Sequence, residues 1–160
     1  MGFDFVRKKA FFAFNYQTWW DVIRLAVGCG WEATGTGPPR GVAAERWSGA
    51  YVANDGQLLY ARDAKRLADV LEKVIAGPRS QGFRFETSRI SKWQRSRTGR
   101  QDLHVYRSFE KFVRVVNSSG SGKKTRHASK ISEPWWLSDD GRSCLRDFVK
   151  FCRGGSFRIY

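Results

Sequence analysis

Apolar residues change their spacing several times along the chain, and each change predicts an element. Phe3 and Phe5, then Ala10 to Phe14, have the short alternating character of one or two edge strands, separated by a turn at Arg7-Lys8-Lys9. From Tyr16 to Val27 the period becomes helical, with Trp19, Ile23, Ala26 and Val27 on one face. Asn15 or Thr18 can cap that helix, Asp21 suits its first turn, and Gly28 and Gly30 stop it. Gly35 to Gly41, with Pro38 and Pro39, predicts an irregular loop. The runs Trp47 to Ala53 and Gln57 to Tyr60 flank Asn54-Asp55-Gly56, the pattern of a β-hairpin. A second helix is predicted over Arg62 to Ala76, with Ala64, Leu67, Ala68, Leu71, Val74 and Ile75 on one side and Gly77-Pro78 as its stop.

The middle of the chain is less regular. Gly82 to Glu86 and Leu103 to Arg107 are short strand candidates, and Ser88 to Gln101 has the look of an exposed loop or ribbon. Phe109, Phe112, Val113 and Val116 fit a helix and a strand almost equally. Asn117 to Lys124 is a polar Gly/Ser-rich loop or linker. Order returns with Pro134-Trp135-Trp136-Leu137 and a third helix running to about Arg153. Ser138 is its cap, Asp139 and Asp140 occupy its first turn, and Leu145, Phe148, Val149 and Cys152 form its buried side. Gly154-Gly155 closes it, and Phe157 and Ile159 predict a last strand.

Together these elements predict an α+β fold, a small antiparallel sheet with about three helices on one face. A chain of 160 residues accommodates this as one domain, with 1–78 and 131–160 as the ordered core and 79–130 as a basic elaboration. The hydrophobic share of 41% is that of a globular protein, and seven Trp and twelve Phe are too many to leave at a surface, so most must be core. Cys29, Cys144 and Cys152 form no CxxC pair. Cys144 and Cys152 are about 12 Å apart along a helix, too far to bridge, so reduced thiols in a cytoplasmic protein are expected. The run from Ala10 to Val27 is broken by Asn15, Gln17, Asp21 and Arg24 and does not span a membrane, and the first residues lack the cleavage site of a signal peptide.

Two groups of residues carry a resemblance. Gly30-Trp31, Gly35-Thr36, Trp47, Asn54-Asp55-Gly56-Gln57, Asp63-Ala64 and Leu67-Ala68 resemble the N-terminal pattern of a group of small bacterial proteins without an assigned activity. Leu145, Phe148-Val149, Phe151-Cys152-Arg153 and Gly155 to Ile159 resemble the tail of the same group. The resemblance covers roughly half the chain, is made of turns, caps and core positions, and implies a shared fold rather than a chemistry. The basic middle falls outside it.

Charge supplies the strongest functional signal. Residues 79–130 hold fourteen Lys and Arg against Glu86, Asp102 and Glu110, a net +11 of the chain's +14. Self-repulsion makes such a concentration costly for solubility alone, so an anionic partner is expected. Arg84, Arg89, Lys92, Arg95, Arg97, Arg100, Arg107, Lys123, Lys124 and Arg126 are the candidate phosphate contacts, and Trp93, with Phe83, Phe85 and Tyr106, supplies stacking surface. This favours a non-enzymatic nucleic-acid-binding protein; the alternative is an interaction, inhibitor or immunity-type protein docking on an acidic protein. A second alternative is a small metal-independent nuclease with His104 and His127 as general base and acid. No helix-turn-helix, RNP or zinc-finger signature is present. The stretch Ser118 to Thr125 fails as a nucleotide-binding P-loop, because Asn117 replaces the first Gly and Lys124 the magnesium-holding hydroxyl. Asp55, Asp63, Asp139 and Asp140 read as turn and first-turn acids rather than metal ligands, and the pairs Trp19-Trp20 and Trp135-Trp136 as core rather than a ligand platform. No cofactor is expected.

Overall fold

In the computed structural model, residues 2–77 and 134–160 are described. β1 (Gly2–Arg7) and β2 (Ala10–Asn15) form a hairpin closed by the Arg7–Ala10 pair, leaving Lys8-Lys9 as a two-residue turn. Lys8 has φ +46, a left-handed value that two-residue hairpins require and that Gly usually supplies. α1 (Tyr16–Gly28) follows directly, with the Asn15 side chain accepting from the Thr18 amide at 2.8 Å. β3 (Gln57–Leu59) leads into α2 (Ala61–Ala76), and Ser138 caps α3 (Asp139–Arg153) by accepting from the Gly141 amide at 3.0 Å. β4 (Phe157–Ile159) completes an antiparallel sheet of order β2-β1-β4-β3. Among the described residues, four strands and three α-helices make the α+β architecture that the periodicities predict.

All three predicted helices form, and their apolar faces are the ones the spacing indicates. Trp19, Ile23, Ala26 and Val27 on α1, five of the six α2 positions, and Leu145, Phe148, Val149 and Cys152 on α3 are buried; Ile75 is half-buried. Alternation along β1 puts Phe3 and Phe5 on the same inner side. Trp19 is fully buried at the centre, packing against Phe3, Phe5, Phe14 and Phe148 and donating its indole N–H to Tyr51 O at 2.8 Å. Burying each such ring stabilises the fold by roughly 1.5–3 kcal/mol. The other side of the sheet has no helix among the described residues packed against it, and Val6 and Phe11 stand exposed there.

The hairpin predicted over Trp47 to Tyr60 does not form. Gln57–Leu59 pairs instead with β4 on one side, and Leu58 bridges Gly37 on the other. The reason lies in Tyr51, whose ring packs edge-on against Trp31 at 5.0 Å and whose hydroxyl donates to Asp63 at 2.5 Å while accepting from the Gly35 amide at 2.7 Å. Thr36 holds the backbone of the same segment, donating its amide to Gly49 O and its hydroxyl to Ala50 O. The groups a hairpin ladder would use are therefore taken up by loop 31–53. Gly56, at φ +83, is a turn residue as the pattern implies, but its amide donates to Ile159 O and starts the β3–β4 pairing.

α2 and α3 lie antiparallel. Arg142, in the first turn of α3, is buried and donates to Ile75 O at 2.7 Å and Gly77 O at 3.1 Å, closing the C-terminus of α2. Arg153, at the opposite end of α3, pairs with Asp69 and Glu72. The described chain on either side of residues 78–133 thus meets at one end of the helix pair, and the β1–β2 turn lies at the other.

Candidate functional site

At that other end the strands stop together: β1 and β3 end, β2 and β4 begin, α2 starts at Ala61 and α3 finishes at Gly154. The gap between them is a cleft of about 970 Å³. Val6, Leu58, Ala61 and Phe157 supply apolar floor, while Arg7, Lys8, Lys9, Arg40 and Arg158 supply charge. Among the described residues lining it there is no Asp or Glu side chain.

Each cation reaches the cleft by a different route. Arg7 ends β1 and crosses to the helix side, its guanidinium 5.2 Å above the Phe151 ring and filling the space a side chain on Gly154 would need. There it faces the carbonyl end of α3, where a positive charge is stabilising. Arg158 is half-buried on β4 and donates to Gly56 O, which spreads it across the sheet. Lys8 and Lys9 project from the hairpin turn and Arg40 from loop 31–53; all three are exposed, with no ion-pair partner among the described residues. The start of α2, where Tyr60 gives no side-chain cap, adds the positive end of a helix dipole at Ala61. Three solvent-facing cations, two held guanidinium groups and a helix N-terminus therefore face one cavity. The solvent-facing cations lie on two separate loops, the β1–β2 turn and loop 31–53.

The described residues offer little for covalent chemistry. Burial pushes the Cys29 thiol up to about 11, and raises Cys152 further and Cys144 less, so none is a thiolate at neutral pH. All three are free, as the spacing predicts. Burial also raises Asp21 and lowers Arg24, which form an ion pair at 3.6 Å on α1. Among the described residues no three His, Cys, Asp or Glu side chains gather as metal ligands. Asp63 is fully buried and accepts from Tyr51 and the Thr34 amide, while the Asp55 amide donates to the Gln57 side chain, so both residues have structural roles. Trp19 and Trp136 are buried in the core.

The basic residues singled out from the sequence (Arg84, Arg89, Lys92, Arg95, Arg97, Arg100, Arg107, Lys123, Lys124 and Arg126), with Trp93, His104 and His127, all lie outside the described residues. So do the strand and helix candidates between Gly82 and Val116 and the Gly/Ser-rich loop. What sequence reasoning missed is the cleft. Arg7-Lys8-Lys9 was legible as a basic turn, but Arg158 joins it only through strand pairing and Arg40 only through a loop bridged to β3 at Gly37–Leu58. No helix of the described chain is long and apolar enough to cross a membrane. Compared with known proteins, the chain matches no family model, no curated protein and no solved structure.

Proposed function

We propose that this protein binds the phosphate backbone of nucleic acid without catalysing a reaction on it. The observation that carries this reading is the cleft at the sheet end, whose described charged side chains are all cationic. Lys8, Lys9 and Arg40 face solvent and can pair with phosphates, and each pairing releases condensed counterions, which drives most of the sequence-independent affinity for nucleic acid. The net +11 of residues 79–130 adds the same sign of charge from elsewhere in the chain. A lone acidic patch on a protein would also be attracted, but a polymer with regular charge can occupy both basic regions at once.

Fluorescence anisotropy with labelled single-stranded DNA, duplex DNA and RNA, at two salt concentrations, tests the proposal. Binding at micromolar concentration or tighter near physiological salt, with a steep salt dependence, is the expected result. The triple variant Lys8→Glu, Lys9→Glu, Arg40→Glu should lose at least ten-fold in affinity, and its salt slope should fall by about 0.7–0.9 for each contact removed. Variants with Arg89, Lys92, Arg95 and Arg97 changed to Glu report the second region separately. Binding confined to low salt would overturn the proposal. Recovery of one acidic protein from nuclease-treated extract, with no polymer bound, would favour the protein-docking alternative.

A further inference from the structure

We infer that the polymer held at the cleft is single-stranded, with its bases stacked on the open face of the sheet; this rests on the phosphate-binding reading above. The described helices cover one face only, and strand register decides what the other displays. Phe11 pairs with Val6, Val6 with Arg158, and Arg158 with Leu58, so these four form one row across all four strands. Tyr160 follows Arg158 by two residues on the same face, held by reciprocal backbone bonds to Asp4, with its ring lying over Gly56. Phe11 is 63% exposed and Tyr160 44%.

Scattered exposed apolar residues are ordinary. Here the Arg158 guanidinium is held at the carbonyl of Gly56, the residue that the Tyr160 ring lies over, and Phe11 stands at the other end of the row. Strands lie roughly 4.8 Å apart, so Phe11 and Arg158 are about 10 Å apart across the sheet, and Tyr160 is about 7 Å further along β4. Rings and a guanidinium at that spacing form a platform for successive bases, since every base has a π-face to stack. The charges orient the strand on it. Lys8, Lys9 and Arg40 stand at the end of the sheet, whereas the exposed carboxylate of Asp4 lies in the row beyond Arg158, beside Tyr160. Arg158 and Tyr160 themselves line the cleft, so phosphates drawn to Lys8, Lys9 and Arg40 at the end of the sheet and repelled by Asp4 leave the bases over the rings. A duplex keeps its bases stacked on one another and gains nothing from Phe11 or Tyr160.

The test compares a short labelled oligothymidylate with a hairpin duplex of equal phosphate number, using the full chain. Single-strand binding should be tighter. Phe11→Leu and Tyr160→Leu keep apolar bulk but remove the π-face, and each should weaken oligothymidylate binding roughly five-fold or more, Phe11→Leu while leaving the duplex unchanged. Phe11→Tyr should retain wild-type affinity, which separates lost stacking from a disturbed fold. Equal or tighter binding of the duplex, or a Phe11→Leu variant that binds oligothymidylate like wild type, overturns the inference and leaves the phosphate reading standing. If neither nucleic acid binds near physiological salt while polyglutamate does, both readings fall.

Discussion

Lys8 occupies a position where its side chain and its backbone have opposing preferences. At φ +46 a non-glycine residue bears a steric cost of about 1–2 kcal/mol, yet the turn places its ammonium at the mouth of the cleft. Lys8→Gly is expected to raise stability by ~0.5–1 kcal/mol in chemical denaturation and to weaken nucleic-acid binding in the same preparation. Lys9→Gly should weaken binding without the gain. Asp21 makes a second residue-scale case. Burial raises its folded value above the usual 3.8, so the folded state holds the proton more tightly than the unfolded chain does. The charged form is therefore a cost at neutral pH, and the cost disappears as pH falls through the raised value toward 3.8. The melting-temperature difference between Asp21→Asn and wild type should accordingly shift in favour of wild type as pH is lowered from 7 toward 4, the opposite of a carboxylate stabilised by its ion pair.

At the scale of elements, the α2–α3 pair depends on a side chain that no helical periodicity reveals. Arg142 lies on the buried side of α3 and closes the last carbonyls of α2, including that of the C-cap residue Gly77. Arg142→Ala should cost about 2–3 kcal/mol in urea unfolding, because two partly buried carbonyls lose charge-assisted partners. Arg142→Lys should recover only part of this, since one ammonium cannot reproduce a planar fork reaching two acceptors. Loop 31–53 is organised in a comparable way, through side chains rather than a ladder. Its turn chemistry at Asn54-Asp55-Gly56 was legible, but the pairing partner was not, because Tyr51 turns inward to Asp63 and leaves β3 free for β4. Gly35, Thr36, Trp47, Gln57 and Asp63 all take part in hydrogen bonds that hold this loop.

For the whole molecule, the cleft lies apart from the two ends of the described chain that flank residues 78–133. The described chain meets across residues 78–133 at the Arg142 end of the helix pair, while the cleft lies at the Gly154 end. Replacing residues 79–130 with a short Gly/Ser linker should therefore preserve cooperative thermal unfolding and leave weaker, salt-sensitive binding that Lys8, Lys9 and Arg40 still control. Loss of cooperative unfolding, measured by circular dichroism, would show the core to be incomplete without that segment. The sequence by itself determined the helices, the caps at Asn15 and Ser138, the buried faces, and the strand segments on either side of the Arg7-Lys8-Lys9 turn. Each of these is set by neighbours within a few positions, through 3.6- and 2-residue periodicity and local side-chain bonds to the backbone. Only the tertiary structure decided the partner of β3, the Arg142 closure and the cleft. Arg7, Arg40 and Arg158 are far apart in the chain; Arg7 and Arg158 converge because antiparallel pairing ends the strands at the same level, and Arg40 joins them from a loop bridged to β3 at Gly37–Leu58. Which face of the sheet the described helices leave uncovered was likewise a matter of long-range packing: Trp19 and Phe148 gather the inner rings into one core, and Phe11, Arg158 and Tyr160 are left on the side facing outward.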